Sequence, residues 1–243
     1  MMTTTQVATR RRTQSGLSLI SLMVGMAISM FAVLGALALY RSTTQTVFGE
    51  GGLVRSSLQD GQLASGLLSA QIALQGAGYG IAAPTSGTHL LLLSNASLNP
   101  DTLVLSGTLQ TIGAAVKSGN ALVWIANPGL SANSADFRCL GLVSDTTSKA
   151  LYMIQSSGAC HPLTTQWSQI TWLRRTLVDA NVQTQAVSLS AQNASNCWPY
   201  GSVPKAISGF DPPTASVMIK LGYSGSVSGA SNTYTSCLAN LSS

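Results

Sequence analysis

The chain has 243 residues, of which 45% are hydrophobic and only 8% are charged, whereas a typical globular protein has about 25% charged residues. The formal net charge of +5 falls to +2 when residues 1–16, which contain three arginines, are set aside. This composition argues against a charged cytosolic enzyme and against a broad basic surface for nucleic acid, and it is typical of an envelope-exposed or extracellular protein.

Residues 17–40 form the first predicted element, an apolar run of 24 residues that contains no charged residue. At about 1.5 Å rise per residue, a helix of this length crosses a hydrocarbon core of roughly 30 Å. The basic cluster Arg10-Arg11-Arg12 precedes the run, and such clusters stay on the cytoplasmic side. The sequence therefore predicts a single-pass helix with a cytoplasmic leader, residues 1–16, and an exported remainder.

A glycine stands at the boundary between leader and apolar run, in the sequence Gly16-Leu17-Ser18-Leu19-Ile20-Ser21-Leu22-Met23-Val24. This sequence resembles the N-terminal signal of type IV prepilins, which a membrane peptidase cuts after the glycine before methylating the new amine. The resemblance implies that prepilin peptidase cuts after Gly16 and that Leu17 becomes the first residue. Because the cut lies on the cytoplasmic side, the apolar helix stays attached and can serve as a filament core.

Two positions of the signal depart from the usual prepilin pattern. Prepilins mostly begin the mature chain with Phe or Met and place a glutamate four residues on, where this chain has Leu17 and Ser21. In the family that glutamate is thought to pair with the N-terminal amine of a neighbouring subunit. Ser21 lacks this docking contact, and related subunits without the glutamate are candidates for the filament tip.

The second predicted element, residues 41–76, is an amphipathic continuation of the helix. No proline precedes Pro84, so nothing forces an earlier break. Apolar and small residues recur at helical spacing and predict the face that packs on a sheet: Val47, Val54, Leu58, Gly61, Ser65, Leu68 and Ile72. Three glycines between positions 49 and 52 predict a soft joint, since each costs about 1 kcal/mol relative to alanine in a helix.

The helix is predicted to end in the turn Gly76-Ala77-Gly78-Tyr79-Gly80. Residues 58–64 together with this turn are similar to the minor type IV pilins of the PilW type, although members usually carry more charge where this chain has Gln62 and Gln71. The resemblance implies a low-copy structural subunit that primes or supports pilus assembly, with roles in adhesion, twitching motility or DNA uptake. It also implies as partners other major and minor pilins, the inner-membrane assembly platform and, before assembly, membrane lipid.

Residues 77–243 are predicted to form a β-rich head, which makes the whole an α+β protein: a long N-terminal helix packed on an antiparallel sheet with disulfide-tied loops. Short apolar runs separated by Gly, Ser, Asn and Pro predict the strands: residues 90–93, 102–105, 122–126, 150–154, 169–173 and 217–221. The Ser- and Gly-rich stretch 222–236 is predicted to be a loop.

Four cysteines lie in the predicted head, and none belongs to a Cys-x-x-Cys pair. An even number in an exported domain favours disulfides, and four cysteines allow three connectivities. We favour Cys139 with Cys160 and Cys197 with Cys237, each worth roughly 3 to 4 kcal/mol by chain entropy. The alternative is a set of reduced, buried cysteines.

The sequence contains little that would support catalysis, and we expect a non-enzymatic protein without cofactor or catalytic residues. Its two histidines are His89 and His161, and the usual hydrolase, zinc-protease and phosphate-binding motifs are absent from the sequence. The aspartates are scattered singly and are expected to serve turns rather than a metal, while a calcium site built from loop carbonyls is left open: Asp101, Asp136, Asp145, Asp179 and Asp211.

One cluster combines aromatic and basic residues: Trp167, Trp172, Arg174 and Arg175. If exposed, it could stack on bases and contact phosphate. We favour a strand with Trp172 facing the core and the arginines at its end. Nucleic acid as a partner is left undecided by the sequence.

Three other interpretations compete with a pilus subunit. A type II secretion pseudopilin would share the same signal and helix. An unprocessed single-pass envelope protein would not need Gly16. A soluble secreted protein could be released after Ala36-Leu37-Ala38, although its apolar region is longer than that of a usual signal peptide.

Overall fold

A computed structural model describes residues 19–49, 52–180, 185–197, 215–224 and 231–242. The chain separates into two units, Met1–Arg55 and Ser56–Ser243. The first contains the helix α1 (Leu19–Phe48), and the second contains nearly all of α2 (Leu53–Gln75) and all the strands within these described ranges. The glycine-rich stretch predicted to be a soft joint thus separates two helices, and the backbone N–H of Gly49 donates to Gln45 O at 2.9 Å where α1 ends.

The part of the head that the structure describes contains ten strands in two antiparallel sheets. The six-stranded sheet has the order β2-β1-β4-β5-β6-β7 and the four-stranded sheet the order β10-β9-β8-β3. In chain order the strands are β1 (Leu90–Leu98), β2 (Leu105–Gln110), β3 (Lys117–Gly119), β4 (Ala121–Ala126), β5 (Arg138–Ser144), β6 (Leu151–Ser156), β7 (Trp172–Val178), β8 (Ser188–Cys197), β9 (Ala215–Ser224) and β10 (Ser231–Leu238). Two short helices complete the described head, a 3-10 turn at Ser134–Asp136 and α3 (Leu163–Gln166). The predicted α+β class, with antiparallel sheets and disulfides, is confirmed.

The six-stranded sheet curls until its two edges meet. Val104, just before β2, forms an antiparallel bridge with Thr171, just before β7. The backbone N–H of Trp172 also donates to Leu103 O at 2.9 Å. Because a curled sheet has a closed interior and an outer face, both faces of its central strands are covered, and every residue of β4 is buried.

Two apolar cores follow from this arrangement. The first lies on the outer face of the curled sheet, where α2 and the four-stranded sheet pack together; its members include Leu63, Leu67, Leu74, Leu92, Trp124, Leu189, Val217 and Ile219. The second fills the interior, and its members include Leu91, Leu93, Val123, Ile125, Val143, Leu163 and Trp172. The consecutive leucines of β1 alternate between the two cores, which explains a strand of unbroken hydrophobicity.

The prediction of which face of α2 packs on the sheet is wrong. Leu58, Leu68 and Ile72 are exposed, with 67%, 52% and 62% of their surface accessible. The buried face is instead formed by Leu63, Leu67, Ala70 and Leu74. Both faces carry residues at helical spacing, so periodicity alone could not select between them; the sheets of the head make that selection.

Three predictions about the strands also need correction. Within the predicted loop 222–236, residues 222–224 belong to β9 and residues 231–236 to β10, and the two strands pair through Tyr234 opposite Leu221. The sequence of β10 is rich in Ser and Thr and has little apolar signal, so its strand character depends on its partner. Residues 102–104 precede β2 and residues 169–171 precede β7, so both predicted strands were placed too early. The strands β3, β5 and β8 had not been predicted.

The turn after α2 is fixed by the end of β4. Gly78 and Gly80 have φ of +75° and +69°, values that favour glycine. Asn127, which is buried, donates its side-chain amide to Gly80 O at 3.0 Å. The backbone N–H of Asn127 donates to Tyr79 O at 2.9 Å. Asn127 therefore holds the predicted turn through both its side chain and its backbone.

Candidate membrane-spanning helix and the predicted head sites

The surface of α1 is apolar all round over residues 19–40. None of its 30 residues is buried, and its large side chains are exposed, among them Leu19, Met26, Phe31 and Leu39. The most apolar 18-residue window has a mean hydropathy of 2.3. By length and composition, α1 is able to cross a membrane. Exposure of so large an apolar surface to water would be strongly unfavourable.

Four hydroxyl groups of α1 bond back to its own backbone. Ser29 Oγ donates to Met26 O at 2.8 Å, and Thr43 Oγ1 donates to Leu39 O at 2.8 Å. Thr44 and Thr46 make equivalent bonds to Tyr40 and Ser42. Of these four, only Ser29 lies within the apolar run, and its bond pairs a hydroxyl that would otherwise be unsatisfied in lipid.

The composition of α1 changes at Tyr40 and Arg41. Residues 19–40 would span about 33 Å at 1.5 Å per residue, close to the thickness of a hydrocarbon core. Beyond them the helix becomes polar, while Tyr40 and Phe48 stay about 70% exposed. Aromatic and basic side chains at this position are typical of a membrane–water interface.

The predicted processing residues Gly16 and Leu17 lie outside the described residues, as does the basic cluster before them. Ser21 is described and lies, exposed, in the first turn of α1. Small residues follow it along one face at intervals of three or four: Gly25, Ser29, Ala32 and Ala36. A Cβ on Gly25 would contact nothing within 4 Å, so this face of the helix is open.

The four cysteines form the two disulfides favoured from the sequence. Cys139 is bonded to Cys160 and Cys197 to Cys237, with Cα separations of 5.6 and 5.4 Å. All four residues are buried. The first bond attaches the segment before α3 to β5 and the second attaches β8 to β10, so both are placed to stabilise the head rather than to exchange with solvent thiols.

The tryptophan and arginine cluster divides between core and surface. Trp172 is fully buried and its Nε1 donates to Trp167 O at 3.1 Å, as expected of a core-facing strand residue. With both indoles buried, they are not available to stack on bases. Arg174 and Arg175 lie within β7 rather than at its end. The guanidinium of Arg174 rests on the ring of Tyr152, 4.8 Å from its centroid.

The two histidines make local contacts. His89 Nδ1 accepts the backbone N–H of Thr85 at 3.1 Å, and burial, followed by repulsion from His161, lowers the pKa of His89. His161 packs edge-on against Phe137, at 5.5 Å between ring centroids. Its neighbour Cys160 has no thiol, since it is in a disulfide.

The aspartates that the structure describes do not assemble with other ligands. Asp145 caps its own turn: its carboxylate accepts the N–H groups of Thr147 and Ser148 and the hydroxyl of Ser148. Burial acts to raise the pKa of Asp145, but these hydrogen bonds and the charge of Arg174 lower it overall. Within the described ranges no group of three His, Cys, Asp or Glu residues is placed to hold a metal, and Asp211 lies outside them.

Sequence reasoning missed one group of polar residues, which lines a cleft in the head and includes Asp145, Tyr152 and Arg174. They come from three separate parts of the chain and form no motif, so no sequence signal could have found them. Comparison with known proteins adds no assignment, because no family model, curated protein or solved structure matches the chain.

Proposed function

We propose that this protein is a minor type IV pilin-like structural subunit, held in a bacterial inner membrane until it is assembled into a filament. The observation that carries the proposal is a helix, α1, that is apolar on every side and begins three residues after the Gly16 boundary. An anchor alone would need the helix, but it would not need a glycine directly after a basic leader.

The proposed pathway begins with insertion of α1, the arginine leader staying in the cytoplasm and the head reaching the periplasm. Prepilin peptidase then cuts after Gly16 and methylates Leu17. Two disulfides in the head are consistent with an oxidising compartment.

Assembly then exchanges the lipid around α1 for the helices of neighbouring pilins. The row of small residues from Gly25 to Ala36 supports this step, because small side chains allow helices to approach closely in a membrane. Ser21 offers no carboxylate for the amine of the next subunit. A subunit with that deficit fits a site at the filament tip, where one neighbour is missing.

The test is the mass and N-terminal sequence of the protein recovered from native membranes and from sheared filaments. We expect a chain that begins at methylated Leu17. A start at Met1 or Met2 would leave an ordinary membrane anchor, and a start at Leu39 would identify a soluble secreted protein.

Two variants sharpen this test. Gly16→Glu should block cleavage and leave a full-length membrane-bound precursor. Gln6→Glu introduces the same charge ten residues upstream and should be processed normally. Recovery of the normally shortened chain from the Gly16 variant would remove the processing mechanism.

A pseudopilin of a type II secretion system is the second candidate, since it would share the leader and helix. Deletion of the gene separates the two assemblies. Loss of surface filaments with normal export of secreted enzymes indicates a pilus, and the opposite phenotype indicates a secretion system.

A further inference from the structure

A polar cleft of about 530 Å³ opens at one rim of the curled sheet. Its size lies within the range of roughly 300 to 1,000 Å³ that is common for small-molecule sites. It is lined mainly by hydroxyl and amide side chains, together with Tyr152 and one charged residue of each sign, Asp145 and Arg174. None of these residues has a role in the proposed membrane function.

The floor of the cleft is held by hydrogen bonds of Asn120. Asn120 donates its side-chain amide to Ala96 O at 2.7 Å and to Ser144 O at 3.2 Å. Its side-chain oxygen accepts the N–H of Ala96 at 2.7 Å. This residue therefore links β1 to β5 across the start of β4.

One wall is a bulge in β1. The pairing of β1 with β2 shifts register between Ser94 and Ser97. Within the bulge Asn95 has a φ of +51° and an exposed side chain at the cleft. Positive φ is uncommon for residues other than glycine and is found disproportionately at binding sites.

The opposite wall carries the two charges. Arg174 lies with its guanidinium over the ring of Tyr152, and this stacking leaves the N–H edge of the guanidinium available for a ligand. The Asp145 carboxylate has about four acceptor positions. Three of them accept hydrogen bonds from donors in its own turn. One acceptor position is therefore left.

This set of groups selects among ligand classes. Arg174 can only donate hydrogen bonds, Asp145 can only accept them, and the surrounding hydroxyls and amides do both. A ligand with a single net charge would meet an opposite charge at one of Asp145 and Arg174 and a like charge at the other, so the two effects oppose each other. A neutral ligand bearing many hydroxyl groups satisfies donors and acceptors together.

We propose that this cleft binds a neutral sugar, with Arg174 donating to ring hydroxyls and Asp145 accepting from one. The bulge at Asn95 supplies further neutral contacts. The proposal is independent of the filament function, since it concerns only the head and would hold for an anchored protein as well.

The experiment is saturation-transfer NMR on the full chain in micelles of dodecyldimethylamine oxide, because sugar-headed detergents would compete. The probes are maltose, lactose, cellobiose and N,N′-diacetylchitobiose, with glucuronate and glucosamine as charged comparators. We expect a signal from at least one neutral disaccharide that exceeds the signal from either charged sugar. No signal from all four disaccharides, or a stronger signal from a charged sugar, would overturn the proposal.

Three variants locate the site. Arg174→Met keeps the length of the side chain but removes its donors, and we expect the apparent dissociation constant to rise about tenfold or more. Arg175→Met is the matched control on the other face of β7 and should bind normally. Asn95→Gly keeps a residue suited to positive φ and should weaken binding without lowering the unfolding temperature. Unchanged binding in both Arg174→Met and Asn95→Gly, or equal loss in Arg175→Met, would contradict this location.

Discussion

At the scale of single residues, Gly66 shows how closely α2 approaches the curled sheet. A Cβ at this position would lie 2.5 Å from Leu177 O and 2.7 Å from a methyl group of Val178. The first of these atoms belongs to the backbone of β7 and cannot rotate away. Glycine in the middle of a helix is therefore retained here although alanine is the better helix former.

We predict that Gly66→Ala lowers the free energy of unfolding by about 1 to 3 kcal/mol, because the helix must move away from β7. The matched control is Gly61→Ala in the same helix, where a Cβ would contact nothing within 4 Å. That control should raise the free energy of unfolding by about 0.5 to 1 kcal/mol. Urea unfolding of the full chain in detergent measures both, and equal effects would refute the close approach.

At the scale of elements, α2 has one face in the core and a second apolar face exposed. Leu67 and Leu68 are neighbours in sequence, yet the first is fully buried and the second is 52% exposed. Propensity and composition treat the two residues alike. Their difference is set by the sheets, which cover only one side of the helix.

We predict that Leu67→Ala lowers the free energy of unfolding by about 2 to 5 kcal/mol, since it opens a cavity in the first core. Leu68→Ala should change it by less than about 0.5 kcal/mol, as is usual for surface positions. The same unfolding measurement applies. A larger loss for Leu68 would restore the helix face that periodicity predicts.

The helix α1 differs from α2, because its own sequence is enough to make it apolar and no packing partner is needed to decide which of its faces is buried. Every side carries large apolar residues, so no orientation relative to the head would hide them all from water. This is why the sequence could predict a helix able to cross a membrane, and why the structure adds only its bounds and its hydroxyl bonds.

At the scale of the whole molecule, the disulfides join parts that the chain order separates. Cys139 and Cys160 are 21 residues apart, and their bond links the segment before α3, which packs in the second core, to β5. Cys197 and Cys237 are 40 residues apart and link the two strands that flank β9. Each bond restricts the unfolded chain more than the folded one.

We predict that replacing either pair by two serines lowers the free energy of unfolding by about 3 to 4 kcal/mol. Double substitution avoids leaving a free thiol that could form a wrong bond. Unfolding curves of the full chain, recorded beside the oxidised parent, provide the measurement. Parent-like stability of either double variant would indicate that its disulfide adds nothing to the fold.

The sequence by itself determined the features that depend on local composition and spacing: an apolar helix long enough for a membrane, a β-rich head after the Gly76 to Gly80 turn, and cysteines suited to disulfides. Only the tertiary structure decided which face of α2 is buried, that residues 231–236 pair as a strand, and that Asp145, Tyr152 and Arg174 meet at one cleft. The physical reason is the range of the interactions. Hydrophobic length is a property of one segment, whereas burial, strand pairing and a shared cleft depend on partners far away in the chain.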